Sequence, residues 1–343
     1  MFNISKSTVV YVVCPYYFKT GGTELAHQLV ATINELGGKA IITYYGGKDA
    51  IRQINPAFSE YVDTYIDISQ IVDDKKNIVI LPEINPDLLN HLKQIQKSVW
   101  WMSVDNYLKR NGVKGFYQYF GLLKTVRHLF LGHIKIGGLK IDKEIVHLYQ
   151  SEYAHQFLLN NGVKHTHRLS DYINQIYLVK NDKKFSSKNN KKNQILYNPK
   201  KGIEFTQKIM GSSDNLNWIP IENMTTEEVR DLLSESKVYI DFGNHPGKDR
   251  FPREAAISGC CIITGKLGSA NYFEDIPIPD EYKFESKDEN ISKILSKIKE
   301  CLEEYEKKQE DFLGYKKFIE KEYSVFRDDV RELFICSNNQ EMN

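Results

Sequence analysis

Short runs of β-forming residues alternate along the chain with longer segments whose apolar residues recur at helical spacing. Val9-Val-Tyr-Val-Val-Cys14 is a continuous run of β-formers, so both faces of this strand are expected to be covered, as in a parallel sheet. Pro15 closes it, the loop Tyr16 to Gly22 follows, and the pattern from Thr23 to Leu36 predicts a helix stopped by Gly37-Gly38. Lys39 to Tyr45 reads as the second strand. Asn77 to Leu81 and Ser98 to Ser103 read as two more, with a helix begun by Pro86 between them. Ile145 to Tyr149 is a further strand, followed by a helix from Glu152 to Leu159 and the stop Asn160-Asn-Gly162. This alternation argues for right-handed βαβ units.

From Leu178 to Lys192 the sequence turns polar, charged and aperiodic, the signature of a solvated linker. Residues 1–177 are therefore expected to form one domain, 178–192 a linker and 193–320 a second domain. Residues 321–343 are expected to form a C-terminal helix, able to cross back, with a frayed end from Ser337 to Asn343. In the second domain Gln194 to Tyr197 and Asn217 to Ile221 read as strands, and Thr225 to Ser234 as a helix capped by Thr226. Val238 to Phe242 is a strand, Pro252 sits at a helix start, Gly259 stops that helix, and Cys260 to Thr264 is the next strand. Asp288 to Phe334 is helical by period, with Ile291, Ile294, Leu295, Ile298 and Leu302 on one face. The expected class is α/β, with two Rossmann-like domains facing each other and a C-terminal helical segment.

At 343 residues, 41% hydrophobic and 27% charged, the chain suits a soluble protein of two α/β domains. A net charge of +1 excludes a globally basic nucleic-acid binder. The five cysteines are odd in number, lack metal-ligand spacing, and three fall in expected buried strands, which points to packed, reduced thiols. The first residues lead into a strand without signal-peptide character, and no apolar run reaches spanning length, so a cytoplasmic setting is expected.

The chemistry concentrates between residues 238 and 264. A strand, a loop with Lys248, Arg250 and Arg253, a short helix and a second strand place cations and free helix N–H groups at one strand end, an arrangement that suits an anion. A dinucleotide-binding Gly-x-Gly-x-x-Gly is missing, since the first βα loop offers only Gly21-Gly22, and there is no P-loop. There is also no Asp-x-Asp to hold a divalent ion.

Four segments carry a resemblance to GT-B glycosyltransferases, in the order that family has them. Thr20-Gly-Gly-Thr-Glu24 is similar to the glycine-rich loop that opens many of them, and Tyr149-Gln-Ser-Glu-Tyr153 to the segment closing their acceptor domain. Tyr197-Asn-Pro-Lys-Lys-Gly202 resembles the first βα loop of the donor domain, and Arg253-Glu-Ala-Ala-Ile-Ser-Gly259 the donor-site helix. The resemblance implies a nucleoside-diphosphate sugar as donor, UDP favoured, in the second domain. Lys200 and Lys201 would meet its diphosphate and Glu254 its ribose hydroxyls. A second Glu, eight positions before the ribose acid in much of the superfamily, is replaced here by Pro246.

The residues themselves add Lys248, Arg250 and Arg253 as cations replacing a metal, and the Ser269 and Ala270 N–H groups as phosphate donors. Backbone groups around Ile221 are the candidates for base recognition, and Gly22 marks the loop of the first domain. No cofactor and no metal are expected. Asp105 is the first choice for a base that deprotonates an acceptor hydroxyl, with the alternative that it caps a helix. Glu24, Glu83 and His245 are rivals, and a retaining reaction needs no protein base.

Tyr107 to Ile141 contains Lys109, Arg110, Lys114, Lys124, Arg127, Lys135 and Lys140 among aromatic and aliphatic residues, and no acid. That composition suits an anionic bilayer or a lipid-diphosphate acceptor, and equally a helical insertion packed on its own domain with a solvated basic face. Nucleic acid is not expected, because no recognition motif accompanies the charge. The reading is therefore a metal-independent glycosyltransferase acting on a glycan or lipid-linked acceptor, cytoplasmic or peripheral at the inner face of a membrane. A sugar-nucleotide epimerase and a non-catalytic GT-B partner subunit are the alternatives.

Overall fold

The structure, a computed structural model, describes residues 1–46, 53–132, 134, 139–178 and 191–336. Two compact units divide the chain. Unit 1 comprises Met1–Asp171 and the chain from Ser324 onward, and unit 2 comprises Tyr172–Tyr323.

Unit 1 is built on seven strands: β1 (Val10–Pro15), β2 (Ala40–Tyr45), β3 (Tyr65–Asp67), β4 (Ile78–Pro82), β5 (Gln96–Trp101), β6 (Val146–Tyr149) and β7 (Thr166–Arg168). All pair in parallel, in the order β3-β2-β1-β4-β5-β6-β7. The order reverses between β1 and β4, the kind of place where open α/β sheets bind ligands. The β1 run is buried on both faces, as its apolar pattern requires, and Val79, Leu81, Val99 and Trp101 continue the core. Helices α1 (Gly21–Glu35), α2 (Val104–Asn111), α3 (Val113–Phe120), α4 (Leu122–Phe130) and α5 (Glu152–Asn160) complete this part.

Unit 2 has four parallel strands, β8 (Lys192–Tyr197), β9 (Trp218–Pro220), β10 (Ser236–Asp241) and β11 (Cys261–Thr264), in the order β11-β10-β8-β9. Its helices are α6 (Ile203–Gly211), α7 (Thr226–Glu235), α8 (Arg250–Ile257), α9 (Ile291–Glu303) and α10 (Tyr305–Lys308). Ile294, Ile298 and Leu302 of α9 are buried as the period predicted, packed with Val238, Ile240 and Ile262 of the sheet. The last helix, α11 (Leu313–Phe334), counts its residues up to Tyr323 in unit 2 and the rest in unit 1. Within unit 1 that end is fastened by Asp329, which accepts from Arg168 at 2.8 Å and from the Ser170 N–H at 2.9 Å, and by Phe334 stacked on Phe2.

Several details differ from the sequence reading. No helix forms after Pro86. The chain instead makes successive tight turns, the N–H of Leu88 meeting the Asn85 carbonyl and that of Asn90 the Asp87 carbonyl. Asp73 then accepts from the Lys93, Gln94 and Ile95 N–H groups, which fixes the extended entry to β5. Thr225, not Thr226, caps α7, in a capping box with Glu228. Pro252 is the third residue of α8 rather than the first. The short edge strands β3 and β7 were not anticipated. Residues 179–190 of the expected linker, Lys135 and the expected frayed end lie outside the described residues. None of the cysteines forms a disulfide, and Cys14, Cys260, Cys261 and Cys301 are buried.

Candidate functional site

Because β8 to β11 run parallel, the loops that leave their C-terminal ends open at one edge of the sheet. Asn198 to Gly202, Ile221 to Asn223, Phe242 to Asp249 and Gly265 to Gly268 all lie there. This edge gathers Lys200, Lys201, Ile221, His245, Lys248, Arg250, Arg253, Glu254, Ser269 and Ala270. The parallel strands and the helix that follows β10 bring these residues to the same edge.

Close backbone approach shapes the loop after β8. Gly202 precedes α6 with φ +59°, and a Cβ there would stand 2.5 Å from the Phe242 carbonyl group. Lys201 lies against Gly243, and its ammonium pairs with Asp249. Lys200 is exposed.

Asp249 begins a buried charged chain. The His245 ring lies between two carboxylates, Nδ1 3.4 Å from Asp249 Oδ2 and Nε2 3.5 Å from Asp241 Oδ1. Asp241 also accepts from the Tyr239 hydroxyl and the Gly243 N–H, each at 2.9 Å. Burial works against an imidazolium at His245, but the attraction of Asp241, and then of Asp249, outweighs it and raises the pKa. Burial likewise opposes charge on Asp241, yet His245, the Gly243 N–H and Lys201 hold its carboxyl below the usual range. Asp241, His245 and Asp249 are of metal-ligating type and close enough to share an ion. Their arrangement fits a charge clamp better, since each ring nitrogen meets a different carboxylate and the Lys201 ammonium already meets Asp249.

Two of the expected phosphate cations turn inward. Arg253 is fully buried, its Nη1 2.9 Å from Glu322, its Nη2 donating to the Lys248 carbonyl at 2.8 Å and its Nε to the Asp249 carbonyl at 3.2 Å. The Lys248 ammonium meets the other oxygen of Glu322 at 2.8 Å. These two cations hold the shape of the loop, and Lys200, Lys201 and Arg250 remain as the cations at least partly open to solvent. Ser269 is also committed, its N–H to the His245 carbonyl at 2.9 Å and its hydroxyl to the Gly247 carbonyl at 2.6 Å. Ala270 is buried beside it. Glu254 is buried within reach of the Tyr177 hydroxyl, whose pKa rises through burial and then through Glu254.

The other candidates stand at the corresponding edge of the unit 1 sheet. Gly22 lies in the first turn of α1, which Thr20 caps, against Met102. Glu24, in the same turn, accepts from the Tyr61 hydroxyl at 3.3 Å. Asp105 does not cap α2, because Ser103 does; its carboxylate accepts from the Tyr153 hydroxyl at 3.1 Å. Glu83, just past β4, is buried, accepts from the Met102 N–H at 3.3 Å, and burial pushes its pKa up to about 7.

The fold has counterparts among solved structures. Anabaena HepE, solved in complex with UDP, aligns over 95% of this chain and 98% of its own, with a TM-score of 0.62 and 9% identity. Sucrose-phosphate synthase from Thermosynechococcus elongatus aligns over 95% and 98%, with a TM-score of 0.63 and 11% identity. The chain has the GT-B fold. WaaG, a glycosyltransferase involved in lipopolysaccharide biosynthesis, shares it, covering 95% of this chain and 99% of its own at a TM-score of 0.53 and 12% identity. No protein-family model and no curated protein matches the sequence. The GT-B likeness agrees with the family resemblance drawn from the sequence.

Asp249, Asp241, Tyr177 and Glu322 belong to the site and were not picked out beforehand. Asp241 and Asp249 flank His245 at four residues on either side, a legible spacing. Glu322, in a helix far along the chain, offered no local signal.

Proposed function

We propose that the protein is a glycosyltransferase moving a sugar from a nucleoside-diphosphate sugar to a glycan or lipid-linked acceptor without a metal ion. One observation carries this reading. Lys200, Lys201 and Arg250 stand at the C-terminal edge of the unit 2 sheet, beside the N-termini of α6 and α8. A departing diphosphate accumulates negative charge, and fixed cations and helix N–H groups stabilise it where it develops. Lys201 would exchange Asp249 for phosphate, leaving Asp249 to His245. Glu254 would accept from the ribose hydroxyls, and the backbone around Ile221 would meet the base. UDP is the favoured nucleotide, in keeping with the HepE complexes with UDP and UDP-glucose.

In an inverting reaction a carboxylate takes the proton of the acceptor hydroxyl as its oxygen bonds to the anomeric carbon. The bond from that carbon to the phosphate oxygen breaks, and the electron pair leaves with the nucleoside diphosphate. Asp105 remains the first choice, with Glu83 the buried alternative whose pKa is already near neutrality.

Thermal shift with UDP, GDP, ADP and CMP, followed by incubation with UDP-sugars with and without EDTA, tests the reading. UDP should stabilise by about 2.7 kcal/mol at a hundred times its Kd. UDP-sugars should be hydrolysed slowly with no dependence on EDTA. Absence of any nucleotide binding, isomerisation of the sugar, or a requirement for Mg²⁺ would each count against it.

A further inference from the structure

Helices α2 to α4 of unit 1 hold a second set of cations, remote in sequence from those already described. A cavity of about 570 Å³ is lined by Lys109, Arg110, Lys124, Arg127 and His128, and among the described residues no carboxylate lines it. Its aromatic wall is Phe116, with its ring 4.5 Å from Phe120 and 4.7 Å from His128, and Lys124 Nζ lies 5.8 Å over the Phe120 ring. Arg110, Lys124 and Arg127 have no carboxylate partner among the described residues.

The outer face of α4 is apolar. At about 100° per residue, Leu122, Val126, Phe130 and Leu123 fall in one arc. Arg127, Lys124 and His128 fill the neighbouring arc. Thr125 is buried on the remaining side, its hydroxyl donating to the Gly121 carbonyl at 2.8 Å. A helix of a globular protein turns its apolar stripe inward. Here Leu123 is 88% and Phe130 91% exposed, with Leu122 and Val126 more than half exposed. An exposed apolar row of this kind marks an interaction surface, and the cations alongside it fix the charge of what it meets.

We infer that α4 docks on an anionic phospholipid bilayer, its apolar row entering the acyl boundary and the cavity receiving a lipid headgroup phosphate. A second copy of this chain would bring the same positive charge to the contact, and like charges oppose it. A nucleic acid would need stacking surfaces, whereas the exposed row is aliphatic apart from Phe130. An amphipathic helix with basic residues bordering its apolar stripe has the composition of an interfacial helix. The proposal stands whether or not unit 2 binds a nucleotide sugar.

Cosedimentation of the full chain with vesicles of phosphatidylcholine, alone or mixed with phosphatidylglycerol, tests it. Binding should appear with the anionic mixture and weaken with salt. Lys124→Gln with Arg127→Gln should lose about fivefold per cation, roughly 25-fold together. Leu123→Ser with Phe130→Ser retains every charge and should lose tenfold or more. Both pairs are exposed, so circular dichroism and UDP affinity should be unchanged. Inorganic pyrophosphate competing with anionic vesicles would support a headgroup seat. Binding to neither vesicle, or binding that neither variant reduces, overturns the proposal. So does calorimetric binding of pyrophosphate that depends on Lys124 and Arg127 in a protein that ignores vesicles, since that describes a soluble anion site.

Discussion

Replacing Arg253 by alanine separates a structural cation from a ligand-binding one. The sequence suggested a side chain open to phosphate, whose loss would leave the fold intact. In the structure the guanidinium is fully buried, 2.9 Å from Glu322, and it also ties down the Lys248 and Asp249 carbonyls. Removing one partner of a buried ion pair costs about 3–5 kcal/mol. The two carbonyls left without their donor would cost about 1–3 kcal/mol each if independent, but they share one network with Glu322 and the terms do not add. Because Lys248 still neutralises Glu322, a loss of about 4 kcal/mol is expected. Urea unfolding gives that figure, and hydrogen exchange over residues 242–257 locates it. A double-mutant cycle with Glu322→Gln should show strong coupling. The refuting result is a stability change under about 1 kcal/mol accompanied by at least tenfold weaker UDP binding. The arginine would then address the ligand, not the loop.

Three further outcomes follow from the same geometry. The pKa of His245 is raised above its ordinary 6.5, so its clamp is fully present below 6.5 and is lost as pH rises through the folded value. The stability gap between wild type and His245→Gln should therefore narrow toward alkaline pH in urea titrations, and a gap independent of pH would contradict an imidazolium between Asp241 and Asp249. Glu83 is held protonated by burial up to about pH 7, against 4.5 ordinarily. Its contribution is complete below 4.5 and lost as pH rises through 7, so Glu83→Gln should gain roughly 3 kcal/mol on wild type at alkaline pH, and parallel pH–stability curves would exclude this. Gly202→Ala should lose more than about 2 kcal/mol and weaken nucleotide binding, because its Cβ would meet the Phe242 carbonyl group at 2.5 Å. Gly211→Ala, with no atom within 4 Å of the added carbon, is the neutral control, and equal thermal shifts in the two would refute the clash.

The buried strands were legible because apolar runs such as Val9 to Cys14 and Val238 to Phe242 leave little choice in a parallel sheet. Edge strands were not. Tyr65-Ile-Asp67 and Thr166-His-Arg168 have three residues each and mixed character, and only their neighbours make them strands. Pro86 is a fair helix-start signal, but the tight turns from Asn85 to Leu92 and the pull of Asp73 on residues 93–95 overrode it. At the site, sequence indicated which residues stand at strand ends, since that follows from alternation. It did not indicate which way they turn. Lys248 and Arg253 face inward because of Glu322, a residue no local pattern connects to them.

The closing segment of unit 1 has a bearing on the birth of the molecule. Every strand of the seven-stranded sheet has been synthesised by Arg168, but Asp329 and Phe334, which fasten Arg168, Ser170 and Phe2, follow only after all of unit 2. Unit 2 is one uninterrupted length that ends at Tyr323. Translation thus leaves the earlier body waiting unsealed while the later one is finished, and a chain cut short before Asp329 carries a first half without its fastening.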